Sequence, residues 1–206
     1  VEKGKVGTRV HGGYHSFAGY DLDPSNVSTD GSAKDMFHFG AISDINLSSD
    51  WTITPRIAYS QHEINGISES ESGAVYDDRN LAEEVQGALG SDMRFGSDSR
   101  LRLTGFTTWY RDQYDRDQRQ SDAMDRYTDT KELLIQGSAQ FDQGISDAHL
   151  LTVGVDVLAE QMDSDRLAPG TGDRKRIGIY LQDQWLLLKQ NRLAIMPGFR
   201  ADFDSQ

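Results

Sequence analysis

Odd and even positions of this chain separate by polarity over most of its length. The separation is sharpest between Arg176 and Asp204. There Ile177, Ile179, Leu181 and Trp185 share one face, against Arg176, Gly178, Tyr180, Gln182 and Gln184. After a polar turn, Lys189-Gln190-Asn191, a second segment sets Leu193, Ile195, Pro197, Phe199, Ala201 and Phe203 against Arg192, Ala194, Met196, Gly198, Arg200 and Asp202. A period of two predicts β-strands. An apolar face backed by arginine, aspartate, glycine and glutamine suits a wall between lipid and a watery lumen better than it suits a soluble sandwich.

The same alternation predicts seven strands upstream. They run from about Val6 to Tyr20, Asp35 to Leu47, Trp51 to Glu63, Leu81 to Phe95, Arg100 to Tyr110, Thr130 to Asp142 and His149 to Gln161. Apolar rows such as Ile53, Ile57 and Tyr59, or Leu101, Leu103 and Trp109, oppose Thr52, Thr54 and Arg56, or Arg100, Arg102 and Thr104. Short polar turns near Ser49, Ser97, Ser146 and Gln190 recur roughly every 47 residues. Between them fall longer polar stretches, Asp21–Lys34, Ile64–Asn80, Arg111–Asp129 and Met162–Gly172, which read as loops. Alternating short and long connections is the pattern of an outer-membrane barrel. Trp51, Phe95, Phe141 and Trp185 lie beside short turns on the apolar parity, and Tyr20, Tyr59 and Trp109 lie beside long loops. Two aromatic girdles are therefore expected.

Composition looks at first like a contradiction. With 36% hydrophobic residues, a net charge of −12 and a mean hydropathy of −0.62, averages describe a soluble acidic protein. Averaging erases the apolar half of a membrane strand, so the argument fails for barrels. No run of about 18 apolar residues predicts a membrane helix. The chain has no cysteine, which excludes disulfides and thiolate metal or redox sites. Its acidity argues against a nucleic-acid partner. Opening at Val1 without a charged-then-apolar leader, it reads as a piece of something longer.

The run Tyr180-Leu181-Gln182-Asp183-Gln184-Trp185, a turn, then Pro197-Gly198-Phe199-Arg200-Ala201-Asp202 resembles the mid-barrel hairpin of TonB-dependent outer-membrane receptors. In that family it reads Tyr-x-Gln-Asp-x-Trp, then Pro-Gly-x-Arg-x-Asp. Tyr180, Gln182, Asp183, Trp185, Pro197, Gly198, Arg200 and Asp202 carry the match. Leu150 to Leu167 is similar to the preceding strand in the ferric-siderophore and colicin receptor branch. The first 130 residues match by pattern. The resemblance implies an all-β, antiparallel, up-and-down transmembrane barrel segment spanning 1–206. That would be about nine strands of a 22-stranded barrel, without the plug domain or the segment that engages TonB. It also implies a parent in the bacterial outer membrane that imports a scarce nutrient chelate, most often a ferric siderophore, with TonB-supplied energy. No enzymatic step or cofactor is implied. A bulge is expected at Pro197, whereas Pro55 is explained only by analogy. The alternatives are another outer-membrane barrel (a porin or small barrel) or a soluble all-β binding module.

Candidate chemistry is sparse. Arg111, Tyr114, Arg116 and Arg119 in the longest polar loop could hold an anionic, aromatic chelate by charge and stacking. The composition favours the plainer reading, a solvated loop. His11 and His15 stand about 13 Å apart along one strand and cannot share a metal, though His38 could join either across the sheet. Asp21, Asp23, Asn26 and Asp30 offer hard oxygen ligands, but not at EF-hand spacing. Arg100 and Arg102 should balance Glu84, Asp92 or Glu132 on the lumen face. No nucleophile–base grouping or phosphate loop stands out.

Overall fold

Alternation of this kind can join neighbouring strands by continuous hydrogen-bond ladders, and the computed structural model shows that it does. Residues 5–23, 25–168, 170–187 and 193–205 are described, so the turn at Lys189–Asn191 lies outside them. The strands are β1 (Val6–Phe17), β2 (Ala33–Asn46), β3 (Trp51–Glu69), β4 (Val75–Phe95), β5 (Ser99–Gln118), β6 (Arg126–Ser146), β7 (His149–Ser164), β8 (Thr171–Leu186), β9 (Ala194–Ile195) and β10 (Gly198–Ser205). Each pairs antiparallel with its sequence neighbour in one up-and-down sheet, β1 to β8 and then β10, with β9 also on β8. Among the described residues the sheet stays open, and β1 and β10 are its edges.

The expected ninth strand divides at Met196–Pro197. Trp185 pairs with Ile195 and Gln182 with Gly198, so both halves keep one register on β8. The Asp183 N–H still donates to the Pro197 carbonyl at 3.0 Å. No residue is inserted, and the expected bulge is absent: proline removes its own donor and interrupts the ladder without shifting it. Pro55 acts in the same way. Pairing of β2 with β3 runs from Ala33↔Asn65 to Ile42↔Arg56 and resumes at Ile45↔Ile53 in the same register. The missing rungs flank Pro55, and the Thr54 hydroxyl bridges the gap to Asp44 at 2.8 Å.

Register fixes the two faces. Pairs such as Val10↔Ala41, Ala41↔Ile57, Ile57↔Gly87, Thr107↔Ile135 and Val155↔Ile179 place even residues of β1 and odd residues of the later strands on one side. No second layer of described residues covers that side. Among the described residues Tyr76 is the only buried hydrophobic, while Ile57 and Leu89 are each 54% exposed. A chain of this size that folded in water would bury most of its apolar side chains.

Two rungs bound this face. The lower joins Trp51, Met93, Leu101, Phe141, Val153, Leu181 and Phe199 across seven strands. The upper joins Phe39, Tyr59, Val85, Trp109 and Leu133. On β3 and β5 the rungs enclose nine residues, about 26 Å along the strand, and a tilted membrane strand needs about 9 to 11. Tyr20 is not on the upper rung. β1 ends at Phe17, and Tyr20 instead bridges to Gly31. Gly19 makes that turn at φ 77°, where a Cβ would meet the Gly31 carbonyl oxygen at 2.5 Å.

Strand length departs most from expectation. β3 to β6 run 19, 21, 20 and 21 residues, against about 11 to 15 expected. Ile64–Asn80 and Arg111–Asp129 are mostly strand, joined by connections at 70–74 and 119–125. The sheet therefore continues about 30 Å past the upper rung. Its β3 margin is covered by the β1–β2 link, where Thr29 N–H donates to the Ile67 carbonyl at 2.9 Å and Thr29 Oγ1 accepts from Ile67 N–H at 3.1 Å.

Candidate functional site: the polar face and its extension

Above the upper rung neither face is apolar, and ion pairs take over from nonpolar rows. On the even parity, opposite the apolar rows, Asp78 is the hub. It accepts hydrogen bonds from Tyr114 Oη at 2.7 Å, Arg116 Nε at 2.7 Å and Ser68 Oγ at 2.5 Å. The Arg116 guanidinium carbon lies 5.1 Å from the Tyr76 ring centre and 5.9 Å from that of Tyr114. Partial burial pushes the Asp78 carboxyl up, but the bonds from Arg116, Ser68 and Tyr114 outweigh it and hold it below its usual range. Thr128, buried on the same face, accepts from Arg166 Nη2 at 3.1 Å.

The four residues expected to contact ligand divide between the faces. Tyr114 and Arg116 meet at Asp78. Arg111 lies on the apolar parity, two residues above Trp109, and pairs through both nitrogens with Asp129 at 2.9 Å, while Lys131 reaches the same carboxylate at 3.1 Å. Arg119 clasps Asp77 at 2.8 and 2.7 Å. Both carboxyls are held below their usual range, chiefly by these arginine hydrogen bonds. The site the structure assembles is thus Tyr76, Asp78, Tyr114 and Arg116, a cluster in which the Asp78 carboxylate balances the arginine, Tyr76 is buried, and Tyr114 and Arg116 keep partial exposure. Sequence reasoning missed Tyr76 and Asp78 because they fall in a segment read as loop.

Within the band the polar face is a charge lattice. Arg100 pairs with Asp92 at 2.9 Å, as expected, but Arg102 chooses Asp142 at 2.7 Å over Glu84 or Glu132. Asp92, directly opposite Arg102 on β4, is taken by Arg100, and Asp142, two positions along β6 from Arg102's partner Gln140, also accepts from Thr152 and Gln140 at 2.7 and 2.8 Å. The motif residues divide by parity. Tyr180 Oη donates to Gln140 at 3.1 Å, and Arg200 spans Asp202 and Asp156 on the polar face. Asp183, Trp185 and Pro197 stand on the apolar face. A Cβ on Gly178 would meet Arg200, Asp156 and Asp202 within 2.6 Å, so glycine leaves room for the guanidinium to cross.

His11 and His38 rings lie 6.4 Å apart, and His15 pairs with Met36 further along. Among the described residues no three His, Cys, Asp or Glu side chains are grouped to hold a metal. In the Asp21–Asp30 loop the carboxylates serve the backbone: Asp21 accepts from Asp23 N–H, Asp23 from Ser25 N–H and Asp30 from Leu22 N–H. Compared with known proteins, the chain matches no protein-family model and no curated protein.

Proposed function

We propose that this chain is a wall segment of a TonB-dependent outer-membrane receptor, a transporter that captures a scarce nutrient chelate, most often a ferric siderophore. One observation carries the membrane part of the reading: the strands turn their apolar parity to the same uncovered side, and on β3 to β6 that side runs between two rungs that enclose nine residues. Lipid is the solvent that makes such a face favourable. In hydrocarbon the free edges of β1 and β10 need partners, because unpaired backbone is costly there. Further strands that close a barrel of 22 would supply them. The receptor assignment rests on the Tyr180–Trp185 and Pro197–Asp202 hairpin. In the Asp78 cluster the partly exposed Arg116 guanidinium, though paired with Asp78, has more donors than that pair uses and is the group an anionic chelate would meet. In this reading the work is recognition and gating, with TonB supplying the energy.

The absence of cysteine permits a direct test. Single cysteines at Leu103, Ile135 and Val155, and at their neighbours Thr104, Gln136 and Asp156, are introduced and the protein is placed in lipid vesicles. A membrane-impermeant maleimide should label the second set and spare the first. Equal labelling of both sets would sink the membrane assignment. Uptake of a ferric siderophore by cells carrying the whole reading frame, lost when TonB is removed, tests the transport reading.

A further inference from the structure

Two histidines of the polar face are set against each other by glycine. His11 on β1 stands directly opposite Gly40 on β2, and His38 directly opposite Gly13, so the two imidazoles are diagonal neighbours across one strand pair. Each ring lies over the glycine that faces it. A Cβ on Gly40 would meet His11 Cε1 at 2.5 Å, and one on Gly13 would meet His38 Cε1 at 2.5 Å. With a larger residue at either position, the ring above it would have to lift off the sheet. The ring centres are 6.4 Å apart, with an interplanar angle of 44°. Both residues are exposed, and among the described residues neither has a hydrogen-bond or ion-pair partner. Two imidazoles held side by side with unengaged nitrogens form a chelating pair for a transition-metal ion.

Their spacing selects the ion. With metal–nitrogen bonds of about 2.0 Å, imidazoles on opposite sides of an ion have ring centres roughly 6 Å apart, and imidazoles at a tetrahedral angle roughly 5 Å. The observed separation fits the first arrangement, which suits a tetragonal ion and not tetrahedral zinc. Of the tetragonal ions, copper(II) binds nitrogen ligands more strongly than nickel(II). We propose that His11 and His38 bind one Cu²⁺ between them, in trans, with water completing the square. Arg9 and Arg56 stand one rung away on the same face, both exposed, where solvent and salt screen their charge. His15, paired with Met36 and four residues along β1 from His11, lies outside this pair. The site depends on the β1–β2 register and not on the lipid assignment.

Copper titration tests this. The protein in detergent micelles is titrated with copper(II) chloride and followed by electron paramagnetic resonance. At one equivalent the unmodified protein should show hyperfine splitting from two nitrogens. His11→Asn and His38→Asn should each weaken binding about a hundredfold, the loss expected when a two-point attachment becomes one. Gly13→Ala displaces the His38 ring without removing a ligand and should weaken binding about tenfold. His15→Asn should leave it unchanged. Splitting from one nitrogen or from none overturns the site, and so does a loss with His15→Asn as large as with His38→Asn. Should a variant fail to fold, the nitrogen count in the unmodified protein still decides.

Discussion

β4 and β5 are single strands with two different surroundings. From Val85 to Met93 and Leu101 to Trp109 their odd residues are apolar and uncovered, and from Val75 to Leu81 and Arg111 to Gln118 both parities are largely polar. The ladder is continuous through both regions, Phe95↔Ser99 to Tyr76↔Gln118 without a break in register. Backbone hydrogen bonding therefore does not distinguish them. What differs is what stands beside the ladder: in the band an uncovered apolar row on one face and ion pairs on the other, and in the extension ion pairs on both faces, Arg79–Glu63, Arg119–Asp77 and Arg111–Asp129 on one and Arg116–Asp78 on the other. One sheet thus uses two independent means of specifying which strands lie together.

A charge placed in each region separates the two most strongly. Leu89 lies midway between Val85 and Met93 on the apolar side, and Leu81 lies eight residues away on the same strand and parity. Leu89→Arg should cost about 2–4 kcal/mol, the usual penalty for arginine on the lipid face at mid-depth. Leu81→Arg, beside Glu63 and Gln113, should stay within about 0.5 kcal/mol. Equilibrium unfolding from vesicles measures both. Equal costs would mean that the band is not in lipid.

The contrast also explains what could be read from the residues alone. Leu101, Leu103, Thr107 and Trp109 alternate with polar neighbours, so a period of two is visible and the band was placed strand by strand. Arg111 to Gln118 alternates as strictly in space, but Arg111, Gln113 and Asp115 face one way and Asp112, Tyr114 and Arg116 the other. With polar residues on both faces no hydropathy period exists, and the segment reads as loop. Its order comes from partners more than 15 residues away, such as Asp129 for Arg111 and Asp78 for Arg116. Asp78 was invisible as a hub for the same reason. The hairpin at Tyr180 and Pro197 was legible because its residues are specific in kind; the register-neutral break at Pro197 was not, since a missing donor does not say whether the chain will bulge.

Removing the hub of the extension should produce a smaller and local effect. Asp78→Asn keeps the shape but loses the charge that Arg116 and Tyr114 address, and should lower local stability of the β4–β5 tips by about 1–2 kcal/mol, read by amide exchange. Acid should reproduce it. The Asp78 carboxyl lies below its usual range when folded, so its contribution is present above the unfolded carboxylate value near 4 and is lost as pH falls through the lower folded value. Protection in the parent and in Asp78→Asn should therefore converge as pH drops below about 4. If they stay apart at low pH, the effect of the substitution is not electrostatic.

The weakest link sharpens the comparison furthest, because losing one exposed pair should matter at the tips alone. The Arg119–Asp77 pair is bidentate but largely solvent-exposed, with 43% and 51% of the two side chains accessible. Exposed pairs contribute little and are screened by ions, to a Debye length of about 3 Å at 1 M salt. Arg119→Gln should raise amide exchange at the β4–β5 tips by no more than about fivefold at low salt. In 1 M sodium chloride the difference should disappear, and at neither salt concentration should the two proteins differ between Val85 and Met93. A difference there as large as that at the tips would show that the Arg119–Asp77 pair supports the lower strands as well.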